Sequence, residues 1–167
     1  MFLRIKKVNN AKYAYLVDNK WYKRKGKGRG KGSRQKVKKY LGRIFEFERA
    51  NDKEFLIFRN IDNIGDYIKN NEKNSIINDL IQWELFRHNI GDEFDIDTLK
   101  GKVLKKDKEI SLAMNEGFLN SYTLARLFNF KFDQDEQEGY KFAQAFVEAG
   151  IDVPKDVFVG IFGKVYK

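Results

Sequence analysis

Between residues 23 and 34 the chain reads Lys23-Arg24-Lys25-Gly26-Lys27-Gly28-Arg29-Gly30-Lys31-Gly32-Ser33-Arg34, and nothing in that run suits a core. Charged side chains leave water only when they are paired, and glycine loses the most conformational entropy on ordering. A compact fold must therefore keep this stretch outside as a loop and join the segments on either side of it. The composition predicts a loop that is mobile when free and orders on a polyanion.

The flanking segments alternate with a period of two. Residues 2–8 (Phe2-Leu3-Arg4-Ile5-Lys6-Lys7-Val8) place Arg4 and Lys6 on one face of a strand and Leu3 and Ile5 on the other. Asn9-Asn10 signals a turn. Residues 12–17 repeat the pattern with Tyr13, Tyr15 and Val17 on one face, Asp18-Asn19 signals a second turn, and Trp21-Tyr22 resumes extended chain. After the loop, residues 35–47 read as another strand, interrupted at Gly42. Three antiparallel strands in a meander are the simplest assembly of these parts.

Beyond residue 47 the pattern changes. Phe55-Leu56-Ile57-Phe58 reads as a short strand. Asn74 or Ser75 caps a helix carrying Ile76, Ile77, Leu80 and Ile81 that ends before Gly91. Residues 110–115 and 122–128 read as short helices on either side of Gly117. Asp135 with Glu138 forms a capping-box pattern for a helix stopped by Gly150, and Pro154 opens a last helix with Val157, Phe158, Ile161 and Phe162. The fold expected is α+β: a small N-terminal antiparallel sheet of about three strands and a mainly helical body. The division is a basic module at 1–47 and a body at 48–167 that folds by itself. Phe128, Phe130, Phe132, Phe142, Phe146, Phe158 and Phe162 are expected in the core, with any surplus available for a homo-oligomer face.

Charge follows the same division. Residues 1–43 hold 16 Lys and Arg against one acid, Asp18, a local net of +15; the rest of the chain is −6, and the whole is +9. Such segregation points to a polyanionic partner for the basic part. Clustered Lys and Arg bind phosphates and release condensed counterions, and a small sheet can lie in the major groove of duplex DNA. The residues expected to bind are Arg4, Lys6, Lys23, Arg24, Lys25, Lys27, Arg29, Lys31, Arg34, Lys36, Lys38, Lys39 and Arg43. Tyr13, Tyr15, Trp21 and Tyr40 fit either base stacking or a core role, and strand aromatics are more often core.

Enzymatic chemistry finds little support in the sequence. The chain has no cysteine and a single histidine, His88, at an expected helix end. The acids Asp92, Glu93, Asp95 and Asp97, like Asp133, Asp135, Glu136 and Glu138, suit turns and helix N-termini. No Gly-x-x-x-x-Gly-Lys-Ser/Thr loop occurs. Residues 120–128 fit the first helix of a helix-turn-helix, but the acids that follow would face phosphates. No cofactor and no metal is expected. No apolar run approaches the ~18 residues of a membrane span, and residues 1–7 lack the apolar stretch of a signal peptide, so a cytoplasmic protein without a membrane partner is expected.

The run Tyr13-Ala14-Tyr15-Leu16-Val17, a basic stretch, and then Ser33-Arg34-Gln35-Lys36-Val37-Lys38-Lys39-Tyr40-Leu41-Gly42-Arg43 resembles the N-terminal region of DDE-type insertion-sequence transposases. The resemblance covers about a quarter of the chain and implies a module that handles DNA, without the three separated carboxylates of transposition. The rest resembles uncharacterised archaeal proteins that share this head. The function expected is non-catalytic nucleic-acid binding, duplex DNA ahead of RNA. The alternatives are an RNA-binding protein, a metal-dependent nuclease related to mobile elements, and a head that binds an acidic protein.

Overall fold

Two asparagines close the first hairpin. Strands β1 (Phe2–Val8) and β2 (Ala11–Tyr22) pair antiparallel around Asn9 and Asn10, both at positive φ, 47° and 62°. Two central residues of positive φ give a turn whose twist matches that of the strands, and asparagine tolerates this region better than most residues. The computed structural model describes residues 1–22, 32–132 and 137–165. Strand β3 (Gly32–Glu46) returns antiparallel along β2, with irregularities beside Tyr15 and Leu16. Asp18 and Asn19, expected to turn, lie within β2 opposite Lys36 and Gln35.

A small three-stranded sheet beside a mainly helical body is not what forms. The sheet is mixed and, among the described residues, has seven strands, four of them from beyond residue 47: β4 (Asp95–Asp97), β5 (Lys102–Lys105), β6 (Lys108–Met114) and β7 (Gly117–Leu119). Its order is β1-β2-β3-β6-β5-β4, with β7 also on β6. Strand β3 runs parallel to β6, Arg43 opposite Ile110 through Glu46 opposite Ala113. Residues 110–115, expected as a helix, supply most of that central strand. Ile110, Leu112 and Met114 are buried at alternate positions, and a free β3 edge on one side with β5 and β7 on the other outweighs the helix preference of Leu, Ala and Met.

Among the described residues six helices complete the fold: α1 (Phe55–Phe58), α2 (Ile64–Asn70), α3 (Lys73–Arg87), α4 (Ser121–Phe128), α5 (Glu138–Ala149) and α6 (Lys155–Val165). The expected strand at 55–58 is the single turn α1. Its buried Phe55 packs edge-on against Trp83 at 5.5 Å, and the Trp83 indole donates to the Lys53 carbonyl at 2.8 Å. A four-residue apolar run carries no periodicity that separates a strand from one helical turn. Helix α3 begins at Lys73, before the expected caps, and is buried on most sides by Ile76, Ile77, Leu80, Ile81, Trp83 and Leu85. Helix α5 stops at Gly150 in the left-handed conformation, φ 73°. Its expected cap Asp135 lies outside the described residues.

The sheet has a core on each side. The larger joins Ile110, Leu112 and Met114 to α3, α4, α5 and α6, with the phenylalanines around Phe142 packed ring to ring. The smaller holds Ala14, Leu16, Leu41 and Ile44 against Phe118 and Tyr122. The boundary at residue 47 is crossed by the larger core: Phe45 and Phe47 both pack edge-on against Phe94, at 5.4 and 5.3 Å, and the Phe47 amide donates to Ala113 at 3.0 Å.

Candidate nucleic-acid interface

Cross-strand partners share a face of a sheet. In β1–β3, Tyr15 stands opposite both Arg4 and Tyr40, and Tyr13 opposite both Lys6 and Arg43. Three cations and three tyrosines therefore lie on one face. The rings touch: Tyr15 and Tyr40 are 5.3 Å apart between centroids, Tyr13 and Tyr40 6.4 Å. The Lys6 ammonium sits 5.1 Å from the Tyr15 ring centre, and the Arg4 guanidinium donates to the Gln35 side chain. Tyr40 is half exposed, at 50%. Burial, and then Tyr15 and Tyr13, push its hydroxyl pKa up, so it remains a neutral donor at physiological pH.

The alternation that gathers these residues separates others. Asp18 pairs with Lys36 and Lys20 with Arg34, so Lys36, Arg34 and Lys20 take the opposite face of the β2–β3 ribbon. That ribbon extends past the end of β1 with backbone pairing as far as Tyr22 and Gly32, and it carries Trp21, 65% exposed. Lys38 is exposed at an irregularity of the β2–β3 register. Lys39 is exposed but already tied to the rest of the fold: its ammonium donates to Ser121 Oγ at 2.9 Å and pairs with Glu109 at 3.4 Å, linking β3, α4 and β6. Lys23, Arg24, Lys25, Lys27, Arg29 and Lys31 lie outside the described residues.

Next to the tyrosine face, where β3 meets the β5–β6 hairpin, the surface opens into a cleft of 690 Å³. Tyr40 and Phe45 supply ring surface, and Lys39, Arg43, Lys105, Lys106 and Lys108 supply charge. Among the described residues the one acid in its lining, Glu109, is already matched by Lys102 at 3.1 Å and Lys39 at 3.4 Å. Burial pushes the Glu109 carboxyl up, but the two lysines outweigh it and hold it below the ordinary glutamate range. Lys105 is held by Glu93 at 3.2 Å and lies over the Phe45 and Phe94 rings at 4.7 and 4.3 Å. The hairpin lysines escape a reading of the sequence that averages the body to −6. The available signal is local: Lys102, Lys105, Lys106 and Lys108 fall within seven residues.

Of the acids of 92–97, Asp92 and Glu93 stand in a turn, one of the two places expected for them, and none caps a helix. Asp95 and Asp97 belong to β4, Asp97 accepts the Lys100 amide at 2.9 Å, and Glu93 pairs with Lys105. The Lys100 amide holds the Asp97 carboxyl below its usual range. Asp133, Asp135 and Glu136 are outside the described residues, and Glu138 is buried at the start of α5. His88 ends α3 as expected, but in the interior, not at the surface. Its Nδ1 lies 2.9 Å from the Glu84 carbonyl oxygen, which only accepts, so Nδ1 carries a proton. Buried Glu84 also meets Arg87 at 2.9 Å, Asn115 at 3.3 Å and the Asp152 amide at 3.1 Å. Nothing in the sequence anticipates this network. It joins α3 to the β6–β7 turn and to the loop between α5 and α6. Among the described residues, no three His, Asp or Glu side chains form a group that could hold a metal ion, and no helix is long and apolar enough to cross a membrane.

No protein-family model, no curated protein and no solved structure matches this chain.

Proposed function

We propose that this protein binds nucleic acid without catalysing a reaction on it, duplex DNA ahead of RNA, through the β1–β3 face and the β2–β3 ribbon, in the cytoplasm. The observation that carries this reading is the shared face of Arg4, Lys6 and Arg43 with Tyr13, Tyr15 and Tyr40. Lys36 and Lys38 continue the charge along a two-stranded ribbon, an element that fits the major groove. The net of +15 over residues 1–43 supplies the long-range attraction. The resemblance of residues 13–43 to the N-terminal region of insertion-sequence transposases makes a mobile-element setting part of the proposal.

The test is binding to duplex DNA, single strands and structured RNA across a salt series. With about 5 to 8 phosphates neutralised, the log–log slope on duplex DNA is roughly −4 to −7. No binding at low salt, or a slope near zero, removes the proposal. Tighter binding to structured RNA reassigns the partner. The nucleic acid is expected to stay intact in Mg²⁺ or Mn²⁺, and turnover abolished by Asp95→Ala or Asp97→Ala would make the protein a nuclease instead.

A further inference from the structure

We infer that the cleft between β3 and the β5–β6 hairpin receives an unpaired nucleotide, its base against Tyr40 and its phosphates on Arg43, Lys106 and Lys108. The inference rests on the nucleic-acid reading above and extends it from the sheet face into the adjoining cleft, which shares Tyr40 and Arg43 with that face. The cleft combines two chemistries that a nucleotide also combines. Its ring surface comes from Tyr40, half exposed, and from Phe45, over which the Arg43 guanidinium lies at 5.3 Å. Its free charge comes from the hairpin. Lys106 and Lys108 are exposed and have no ion-pair partner among the described residues, whereas the acid beside them, Glu109, is already neutralised by Lys39 and Lys102. Asp107 stands between the two lysines at the tip and pairs with neither.

Backbone conformation adds an independent sign. Lys106 and Asp107 form the two-residue hairpin turn, both at positive φ, 48° and 61°. Asparagine and glycine suit these positions, and asparagines fill the corresponding turn at Asn9 and Asn10. A lysine held in the left-handed region is strained, and such strain gathers at functional positions. Here it places a cation at the mouth of the cleft.

A base stacked within a duplex presents its edge to a protein and hides its ring face. Tyr40 therefore favours a base that has left the stack, as in an overhang, a bulge or a single strand. A cleft of 690 Å³ falls in the range that takes a small molecule.

The experiment compares the full chain on three DNAs: a blunt duplex, the same duplex with a single-stranded overhang, and one with a single bulged 2-aminopurine. The overhang and the bulge are expected to bind about 10-fold or more tighter than the blunt duplex, with 2-aminopurine fluorescence quenched by stacking. Tyr40→Ala should abolish both the preference and the quench, while Tyr40→Phe keeps them. Lys106→Ala with Lys108→Ala should weaken the overhang complex more than the blunt one. Thermal unfolding of each variant reports whether the fold is kept, and the Tyr40→Phe protein supplies the comparison if Tyr40→Ala is unstable. Equal affinity for all three DNAs, or a preference unchanged in Tyr40→Ala, overturns the inference and leaves duplex binding standing. No binding to any of them overturns both. An RNA overhang bound more tightly than the DNA one upholds the cleft and moves the partner to RNA.

Discussion

Gly42 lies so close to Glu109 that a Cβ built on it would stand 2.2 Å from the Glu109 carbonyl oxygen. Its φ is +95°, a conformation that side chains resist. Both facts follow from the seam where β3 meets β6, next to the cleft. Gly42→Ala should destabilise the protein by about 2–4 kcal/mol, combining overpacking against backbone with left-handed strain. Urea unfolding measures the loss, and an unchanged midpoint would show that the seam can open without cost.

The ribbon lysines test the interface separately from the fold. Lys36 and Lys38 are exposed and make no ion pair among the described residues. Lys36→Ala with Lys38→Ala should make the salt slope on duplex DNA less negative by about 0.9 for each phosphate no longer neutralised. Stability should stay within about 0.5 kcal/mol, as for most surface substitutions. A slope identical to that of the unmodified protein would take the ribbon out of the interface.

Burial pushes the Glu84 carboxyl pKa up, and Arg87 only partly offsets it. A carboxyl that holds its proton more tightly folded than unfolded loses stability as the pH rises. The contribution declines from the ordinary glutamate value of 4.5 up through the raised folded value, then levels off. Glu84→Gln cannot titrate, so the stability difference between the two proteins should vary with pH across that window. Urea midpoints between pH 4 and 8 measure it. A difference that is constant with pH would mean that Glu84 ionises in the folded protein as it does in water.

Residues 48–167 should not fold on their own. Removing residues 1–47 deprives β6 of its parallel partner and Phe94 of Phe45 and Phe47. It also bares a strand edge, which invites association. The truncated chain is expected to show a broad, non-cooperative melt and to self-associate on size exclusion. A sharp melt of a monomer would show that the body is independent, as the sequence alone suggests.

Some of this architecture was legible from local chemistry. Alternation marked β1, the first half of β2 and β3 from Gln35 on, and the asparagine pair marked their first turn, whereas the turn expected at Asp18-Asn19 is continuous strand. Gly150 marked the end of α5 and Pro154 the start of α6, because left-handed φ and a missing amide proton are properties of single residues. The charge of the first 43 residues also belongs to the sequence, as does the need to keep residues 23–34 outside a core. Tertiary structure decided the rest. Strands of three or four residues, such as β4, β5 and β7, are too short to show a period. The alternation of Ile110, Leu112 and Met114 does not reveal that β3 will lie beside it. Pairing between β3 and β6 joins residues more than sixty positions apart, and only that pairing brings Lys106 and Lys108 next to Arg43 and Tyr40. Register then divides the cations, with Arg4, Lys6 and Arg43 on the tyrosine face, Arg34 and Lys36 on the other, and Lys39 drawn to Glu109. Which side a residue faces depends on a partner strand and its irregularities, and a single chain segment carries no record of either.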